Sequence, residues 1–360
     1  MQRPYTAAMT SGAEHDDPYD GDAELRPRRR RRSFGRVLIV GVVVLALVAV
    51  GTVAGYFAFV NWQVSSNLAY SRLLPDEQIM GEDEAVDPVQ VERPETAGDA
   101  RNFLILGTDS RDLSEDRGRS DVMVLVHVSD ERDRVDLVHI PRDYFVDIPG
   151  SSRKNKINAA YAFGGAPLAV ETLQSILGVP IDEVAIVDFD SFEAMTDAIG
   201  GVEVNVAEAS PGFPEGVMQM DGETGLEFVR ERYSLSQGDI SRGQRQQAFI
   251  KGIMEKALSR ETLTNPARLA SFVDAATTNL TVDDDLDLGE MRSLALSMRN
   301  VRGDDIHFVT APWSGIGTDS WAGSIVNPAW EQVEALSEHL RTDTMEDYSD
   351  PVSPTSGFGG

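Results

Sequence analysis

The sequence contains no cysteine. That excludes disulfides, thiolate zinc sites and cysteine nucleophiles, so any folded part must be held by its own core. Lysine is nearly absent as well, with four residues against 28 arginines. Positive charge is scarce overall. The 32 basic residues face 59 acidic ones, for a formal net charge of −27. So acidic a chain repels nucleic acid and other polyanions unless its cations are gathered in one place. Nucleic acid is therefore not an expected partner, and the positions of the few external cations become informative.

Long uncharged runs are also missing, with one exception. Val37 to Val60 is 24 consecutive residues without a charge, and about 20 apolar residues suffice to cross the hydrocarbon core of a bilayer. A cleaved secretory signal would have a shorter apolar region and a small-residue cleavage site, and none follows Val60. Five consecutive arginines, Arg28 to Arg32, precede the run, flanked by Arg26 and Arg36. No Lys or Arg follows until Arg72. The positive-inside rule then predicts a single-pass anchor in the cell membrane, with the N-terminus cytoplasmic and residues beyond about 61 outside. Gly51 and Gly55 form a small-xxx-small pair in the span, a weak signal for helix pairing.

Composition divides the rest. Residues 1–36 read as a disordered cytoplasmic tail and 342–360 as a second disordered tail. Residues 61–100 read as a helical stem that ends at Pro75, then an acidic spacer (76–100) holding the domain off the membrane. Residues 101–341 alternate strand-like and helix-like runs. Strands are expected at Phe103–Leu106, Val122–Val128, Val135–Ile140, Val184–Phe189, Val202–Val206 and Ile306–Val309. Helices are expected at Pro167–Leu177, Ser191–Ile199, Gln244–Leu258, Leu269–Thr277, Leu288–Met298 and Pro328–Leu340. This interleaving predicts an α/β fold on a mixed, partly antiparallel sheet.

Three clusters carry chemistry. In the first, GTDSR (107–111) and RGRSD (117–121), Asp109 follows one strand and Asp121 precedes the next. If those strands are neighbours, two carboxylates share one end of the sheet. Such oxygens suit Mg²⁺, though position alone is equally that of ordinary loop aspartates. The second runs from IPRDYFVDIPG (140–150) to KNKINAAYAFGG (154–165). Arg142 and Asp143 follow a strand directly, and Gly164-Gly165 precede a helix start. The third is FVRERYSLSQGDISRGQRQQAF (228–249). Arg230 and Arg232 face the same way if the chain there is extended. On the following helix Arg242 and Gln246 lie about 40° apart, on the side of Phe249, Ile250 and Ile253. An arginine on an apolar face is costly unless it is paired or bound to an anion; the plain alternative is a solvated helix end. Arg119, Arg142, Arg230, Arg232, Arg242 and Arg245 together form a positive focus in an acidic domain. Arginine forks match phosphate oxygens, and carboxylates beside them point to a metal–diphosphate site. Trp313 and Trp321 flank a Gly/Ser loop, where packing on the domain itself is expected over sugar stacking.

At these residues the chain resembles the LytR-CpsA-Psr family. The matching stretches are NFLILGTDSR, RSDVMVLVHV, IPRDYFVDIPG, KINAAYAFGG, VDFDSFEAMTDAIGGVEVNV, and FVRERY with GDISRGQRQQ, in order over about 100 to 260. The resemblance implies a three-layer α/β/α sandwich behind one transmembrane helix. It implies a Mg²⁺-dependent phosphotransferase that moves an anionic glycopolymer, such as teichoic acid or arabinogalactan, from a polyprenyl-diphosphate carrier to peptidoglycan. Carried over by motif, Asp109 and Asp121 would bind the metal. Arg119, Arg142, Lys156, Arg230, Arg232, Arg242 and Gln246 would bind the diphosphate. Arg119, Asp121, Arg142 and Asp143 would form the catalytic group, with Asp143 a partner of the arginines. Three departures touch none of these residues: His139 where a small residue is usual, Tyr233 where the family often has His, and Glu227-Phe228 where Ala-Tyr is common. Two other readings use the same site: hydrolysis of the diphosphate by water, and a lipid- or polymer-binding regulator without turnover.

Overall fold

The structure is a computed structural model. It describes residues 52, 54–75, 77–108, 118, 120–231, 233–236, 239–278 and 280–349. The chain divides after Tyr56, and the fold belongs to the unit beginning at Phe57. Most of the expected span, residues 37–51, lies outside the described residues, as do both expected tails apart from 342–349. No helix among the described residues is long and apolar enough to cross a membrane.

Seven strands form one sheet: β1 (Ala69–Ser71), β2 (Arg101–Thr108), β3 (Ser120–Val128), β4 (Val135–His139), β5 (Glu183–Asp188), β6 (Leu280–Asp283) and β7 (Ile306–Thr310). Their order is β1-β6-β5-β2-β3-β4-β7. Pairs β2–β3, β3–β4 and β5–β6 are antiparallel, while β2–β5, β4–β7 and β1–β6 are parallel. The mixed sheet matches the expectation. Strand alternation divides its two faces. Leu104 and Leu106 of β2 are fully buried on one side, whereas Phe103 and Ile105 on the other are half-buried.

Helix α1 (Asn158–Leu177) lies over the fully buried face. Leu168, Leu173 and Leu177 of that helix, and Val333, Leu336 and Leu340 of α7 (Trp330–Thr342), share one core with Leu104, Leu106, Met123 and Leu125. The opposite face carries α4 (Asp239–Ala257) and α6 (Leu288–Ser297). There Met254 and Leu294 pack against Val124, Leu137 and Ile306. A third core joins α2 (Phe189–Ala198), α3 (Gly222–Arg230) and the outer side of α4 to the hairpin of Val202–Val206 and Gly216–Met220. Helix α5 (Pro266–Thr277) packs on α2. Helices on both faces of the sheet make the α/β/α sandwich.

Three elements differ from expectation. Helix α1 starts nine residues early and contains the glycine pair: it kinks at Gly165 (φ 71°, ψ −159°), ahead of Pro167. A proline lacks the amide donor and disfavours helical backbone before it, so a glycine able to adopt positive φ lets the helix bend and resume. Arg230 does not lie in extended chain but is the last residue of α3. The pairing argument for Arg230 and Arg232 fails there, and Arg232 is outside the described residues.

The third difference is the spacer, which is docked rather than free. Residues 57–67 are helical, and β1 follows after Leu68. The Leu73 and Leu74 amides donate to Asp283 Oδ2 at 2.7 and 2.8 Å. Further on, the Val89 amide reaches the Glu171 carboxylate at 3.2 Å, and Arg93 Nη2 donates to both Asp182 oxygens at 2.6 and 2.7 Å. Ala97 and Ala100 are buried. An acidic, apolar-poor segment reads as a spacer because its fixings are long-range hydrogen bonds and ion pairs, which leave no periodicity. Asp283 also belongs to a triplet, Asp283-Asp284-Asp285, able to hold a cation. Its carboxylate is already occupied: Oδ2 accepts two amides of the incoming chain and Oδ1 the Asp285 amide.

Helices α3 and α4 cross with almost no clearance. A Cβ at Gly225 would lie 2.0 Å from the Phe249 ring. Gly225→Ala should therefore lower stability by about 2 kcal/mol through overpacking, read as a fall in thermal midpoint. Phe249→Leu added to it should restore part of the loss, because the two changes act on one contact.

Candidate functional site

One end of the sheet gathers the functional residues. Strands β2, β4, β5 and β7 finish there, and the antiparallel β3 and β6 begin there. Carboxyl ends of strands in open α/β sheets are where ligand sites form. The edge therefore presents Thr108, Asp121, the turn after His139 and Thr310 together, and Asp109 directly follows Thr108 in sequence.

Asp121 owes its position to a break in the ladder. Gly107 pairs with Val122, but Thr108 pairs with Ser120, so Asp121 is the extra residue of a bulge. A bulge re-aims the unpaired side chain. Ser120 Oγ secures it by donating to the Val122 carbonyl at 2.8 Å. Gly107 is required opposite, because a Cβ there would meet the Val122 Cβ at 2.8 Å.

Arg142 and Asp143 stand on the turn after β4. Arg142 Nη1 donates to Asp121 Oδ1 at 2.5 Å, and its Nε lies 3.9 Å from Asp143 Oδ2. Lys156 Nζ sits 2.9 Å from Asp143 Oδ1. Lys156 reaches Asp143 because Asn155–Lys156 pairs with Phe145–Val146 in a short antiparallel ribbon. The Asn158 amide at the start of α1 then donates to the Arg142 carbonyl at 3.2 Å. Asp121, Arg142, Asp143 and Lys156 thus form one alternating row of charge. Asp143 is buried at 7% exposure, which two flanking cations make tolerable. Among the described residues, Asp121 takes a hydrogen bond on Oδ1 alone. A half-buried carboxylate with its second oxygen open is suited to a hard cation such as Mg²⁺.

Helix α4 runs over this edge. Gln247 Nε2 donates to Thr310 Oγ1 at 3.0 Å, and Gly243 packs on the His139 ring, where a Cβ would meet Cε1 at 3.0 Å. Gln246 is buried and Arg242 half-buried; by helical spacing both share the side of Phe249 and Ile253, which the third core takes, rather than that of Met254. Arg245 is 5% exposed, its Nη2 donates to the Glu208 carbonyl and Ser210 Oγ at 2.8 Å, and its guanidinium stacks 4.5 Å from the Phe228 ring centroid. It is committed to the outer side of α4 and leaves the positive focus. The wheel argument assumed one buried side, whereas α4 is packed on two. Arg230 is exposed at the end of α3. Asp109, Arg119 and Arg232 lie outside the described residues.

Two groups escaped the sequence reading. Glu208 accepts the Ser236 amide at 2.5 Å and Ser241 Oγ at 2.7 Å, and so fastens the loop between α3 and α4. It lies among AEAS (207–210), which gives no sign of such a role. His139, seen only as a departure from the family pattern, is buried, and its Nδ1 has no partner among the described residues. A second signal exists in the half-buried apolar side chains on the α4 and α6 face. Phe103, Ile105, Val122 and Val126 lie beside Met254, Leu258 and Leu294, on a sheet face that leads toward Asp121.

Burial holds the His139 imidazole down at about 4. The unfolded chain takes up that proton near 6.5 and the folded one does not, so His139 makes stability fall as pH drops from about 6.5 to about 4. The loss is about 3 kcal/mol at the lower limit. Glu183, raised to about 7 by burial and by Asp283 and Asp182, acts in the opposite direction over much of that window. The measure is therefore a comparison. His139→Ser should lose less thermal stability than the parent between pH 6.5 and 4, and equal slopes would remove His139 from the account.

Comparison with known proteins agrees with the architecture. The model of the LytR_cpsA_psr family matches residues 67–342. The chain is 35% identical over 208 residues to the polyisoprenyl-teichoic acid–peptidoglycan teichoic acid transferase TagU of Enterococcus faecalis, covering 56% of this chain and 67% of that protein. It is 30% identical over 267 residues to the transferase of the same name from Bacillus subtilis, covering 72% and 83%. The crystal structure of B. subtilis TagV superposes with a TM-score of 0.57 at 25% identity, covering 69% of this chain and 98% of that one. A LytR-Csp2A-Psr enzyme from Actinomyces oris gives 0.57 at 24%, covering 75% and 96%, and shares the fold. With the match beginning at the docked stem and ending at the last helix, this chain belongs to the LytR_cpsA_psr family.

Proposed function

We propose that this chain is a phosphotransferase that moves an anionic glycopolymer from a polyprenyl-diphosphate carrier onto peptidoglycan. The observation that carries the reading is the charge row Asp121–Arg142–Asp143–Lys156 at the strand ends, beside a half-buried apolar sheet face. The two TagU relatives named above are, by name, transferases of a polyisoprenyl-linked teichoic acid to peptidoglycan.

In this reading Arg142 and Lys156 bind the diphosphate, with Arg242 and Gln246 of α4 and Arg119, Arg230 and Arg232 completing the set. Guanidinium forks take phosphate oxygens two at a time. Asp143 fixes Lys156 and Arg142 in place, so little reorganisation is needed when charge shifts. The prenyl tail lies along Phe103, Ile105, Val122 and Val126, where burial of apolar area draws it out of water. An acceptor hydroxyl oxygen bonds to the sugar-side phosphorus and gives up its proton to solvent, the bond from that phosphorus to the bridging oxygen breaks, and the lipid phosphate leaves with the electron pair. Asp109 and Asp121 would hold Mg²⁺, which supplies charge neutralisation on the diphosphate.

The anchor reading completes the proposal. Residues 37–60 cross the membrane with residues 1–36 in the cytoplasm, and the folded domain lies outside. Phe57, Phe59 and Trp62 support it: all three are exposed, on helical chain, at the place where aromatic rings settle at a bilayer surface. Hydrolysis remains the alternative outcome of the same chemistry, with water in place of the sugar hydroxyl.

The test is release of prenyl phosphate and attachment of polymer to peptidoglycan fragments. Arg142→Ala and Asp121→Ala should each lower transfer by about 100-fold or more while circular dichroism stays that of the parent. Full transfer in both variants would sink the site. Chelation should abolish transfer and added Mg²⁺ restore it. Equal release with and without acceptor fragments would identify a hydrolase.

A further inference from the structure

The two loop tryptophans part company in the structure. Trp313 packs against the main core, whereas Trp321 is 65% exposed. Trp321 is at the tip of the antiparallel ribbon of Trp313–Asp319 and Gly323–Pro328. The expectation that this loop packs on its own domain therefore fails for Trp321.

Exposure is combined with restraint. Asp319 Oδ1 accepts the amides of Trp321 and Ala322 at 2.7 and 2.9 Å, which pins the tip. The Arg153 guanidinium lies 3.9 Å from the Trp321 ring centroid and covers one face. Arg153 is itself held by Glu82 Oε1 at 3.3 Å, and Glu82 Oε2 accepts Ser151 Oγ at 2.9 Å. An indole fixed on one face and open on the other is a preformed platform.

Both partners of the stack lead back to the site. The Val326 amide, on the return strand of the ribbon, donates to the Asp143 carbonyl at 2.8 Å. From Val326 to Trp321 the chain runs over five residues, at most about 17 Å. Arg153 stands three residues before Lys156, the residue that pairs with Asp143, a span of at most about 10 Å. The platform is thus tied to the charge row by two separate routes, of at most about 17 Å and about 10 Å of chain.

The chemistry of the pair selects the ligand. A free anion is better served by unpaired cations, and Arg153 is already matched by Glu82. A protein partner requires a broad apolar patch, and on this ribbon only Ile316 joins Trp321 among the large exposed apolar residues. A pyranose ring fits instead. Its C–H face stacks on an indole, and its hydroxyls both accept from a guanidinium and donate to a carboxylate at the rim.

We propose that Trp321, braced by Arg153 and Glu82, is a sugar subsite that receives a pyranose ring of a saccharide whose reacting end lies at the Asp121–Arg142–Asp143–Lys156 row. The proposal rests on the transferase reading for that row. The chemistry is shared by the glycan strand of the acceptor and by the sugars of the transferred polymer, and the experiment separates them.

The detergent-solubilised full chain is titrated with three probes by calorimetry and saturation-transfer NMR. They are a tetrasaccharide of alternating N-acetylglucosamine and N-acetylmuramic acid, an oligomer of N-acetylglucosamine phosphate, and inorganic pyrophosphate. Trp321→Ala should weaken a saccharide by about 3- to 10-fold, the scale of one aromatic contact, and leave pyrophosphate binding unchanged. Trp321→Phe should keep most of the affinity. Weakening of the tetrasaccharide alone assigns the subsite to the acceptor, and weakening of the phosphate oligomer alone assigns it to the polymer. Weakening of both also upholds the platform. Trp321→Ala binding both saccharides as the parent does, or a parent that binds neither, overturns it. Loss of pyrophosphate binding in Arg142→Ala tests the charge row separately. If the parent ignores pyrophosphate yet binds sugar through Trp321, the transferase site is wrong and the platform stands.

Discussion

The row Lys156–Asp143–Arg142–Asp121 is the interaction around which the rest of the domain is organised. A nearly buried carboxylate such as Asp143 cannot stand alone, and cations brought to it lose hydration that only close pairing offsets. Each member comes from a different local device: a bulge for Asp121, the turn after β4 for Arg142 and Asp143, and a two-residue ribbon for Lys156. Those devices hold their geometry because β2, β3 and β4 are locked by fully buried side chains such as Leu104, Met123 and Val138. The core therefore supports the site by fixing where β2 and β4 end and β3 begins.

Helix α4 answers a second constraint. It lies against the sheet edge through Gly243 and Gln247 while joining two cores. Its sequence is consequently polar at the start and apolar later, and buried on both flanks: Phe249 and Ile253 pack outward, and Met254 packs toward the sheet. Arg245 shows the cost of the arrangement. A cation on the outer flank needed two aromatic faces and the Glu208 carbonyl to make burial tolerable.

Much of this was readable from the chain. Strand positions followed from β-branched runs such as Val122–Val128 and Val135–Ile140, and their hairpin from SDERDR between them. Arg142 and Asp143 could be placed at a strand end because IPRD follows such a run directly. Features that depend on register or on contacts distant in sequence were hidden. The bulge at Asp121 is visible only once Gly107 is paired with Val122. Arg230 read as extended because FVRERY contains no helix stop. The docking of residues 69–100 rests on Asp283, Glu171 and Asp182, which lie roughly 80 to 210 residues away from the groups they hold.

That docked segment has a mechanical consequence. Only Leu68 separates the helical residues 57–67 from β1, and β1 is a strand of the central sheet, with Asp283 clasping the two amides just beyond it. A pull on the chain ahead of Leu68 is borne by the sheet itself, with no slack loop to absorb it. Tension in that direction loads β6, the neighbour of β5 in the same sheet, before it can stretch anything outside the domain. The attachment transmits force as a strut does, and the strand ends that compose the site belong to the body on which that strut bears.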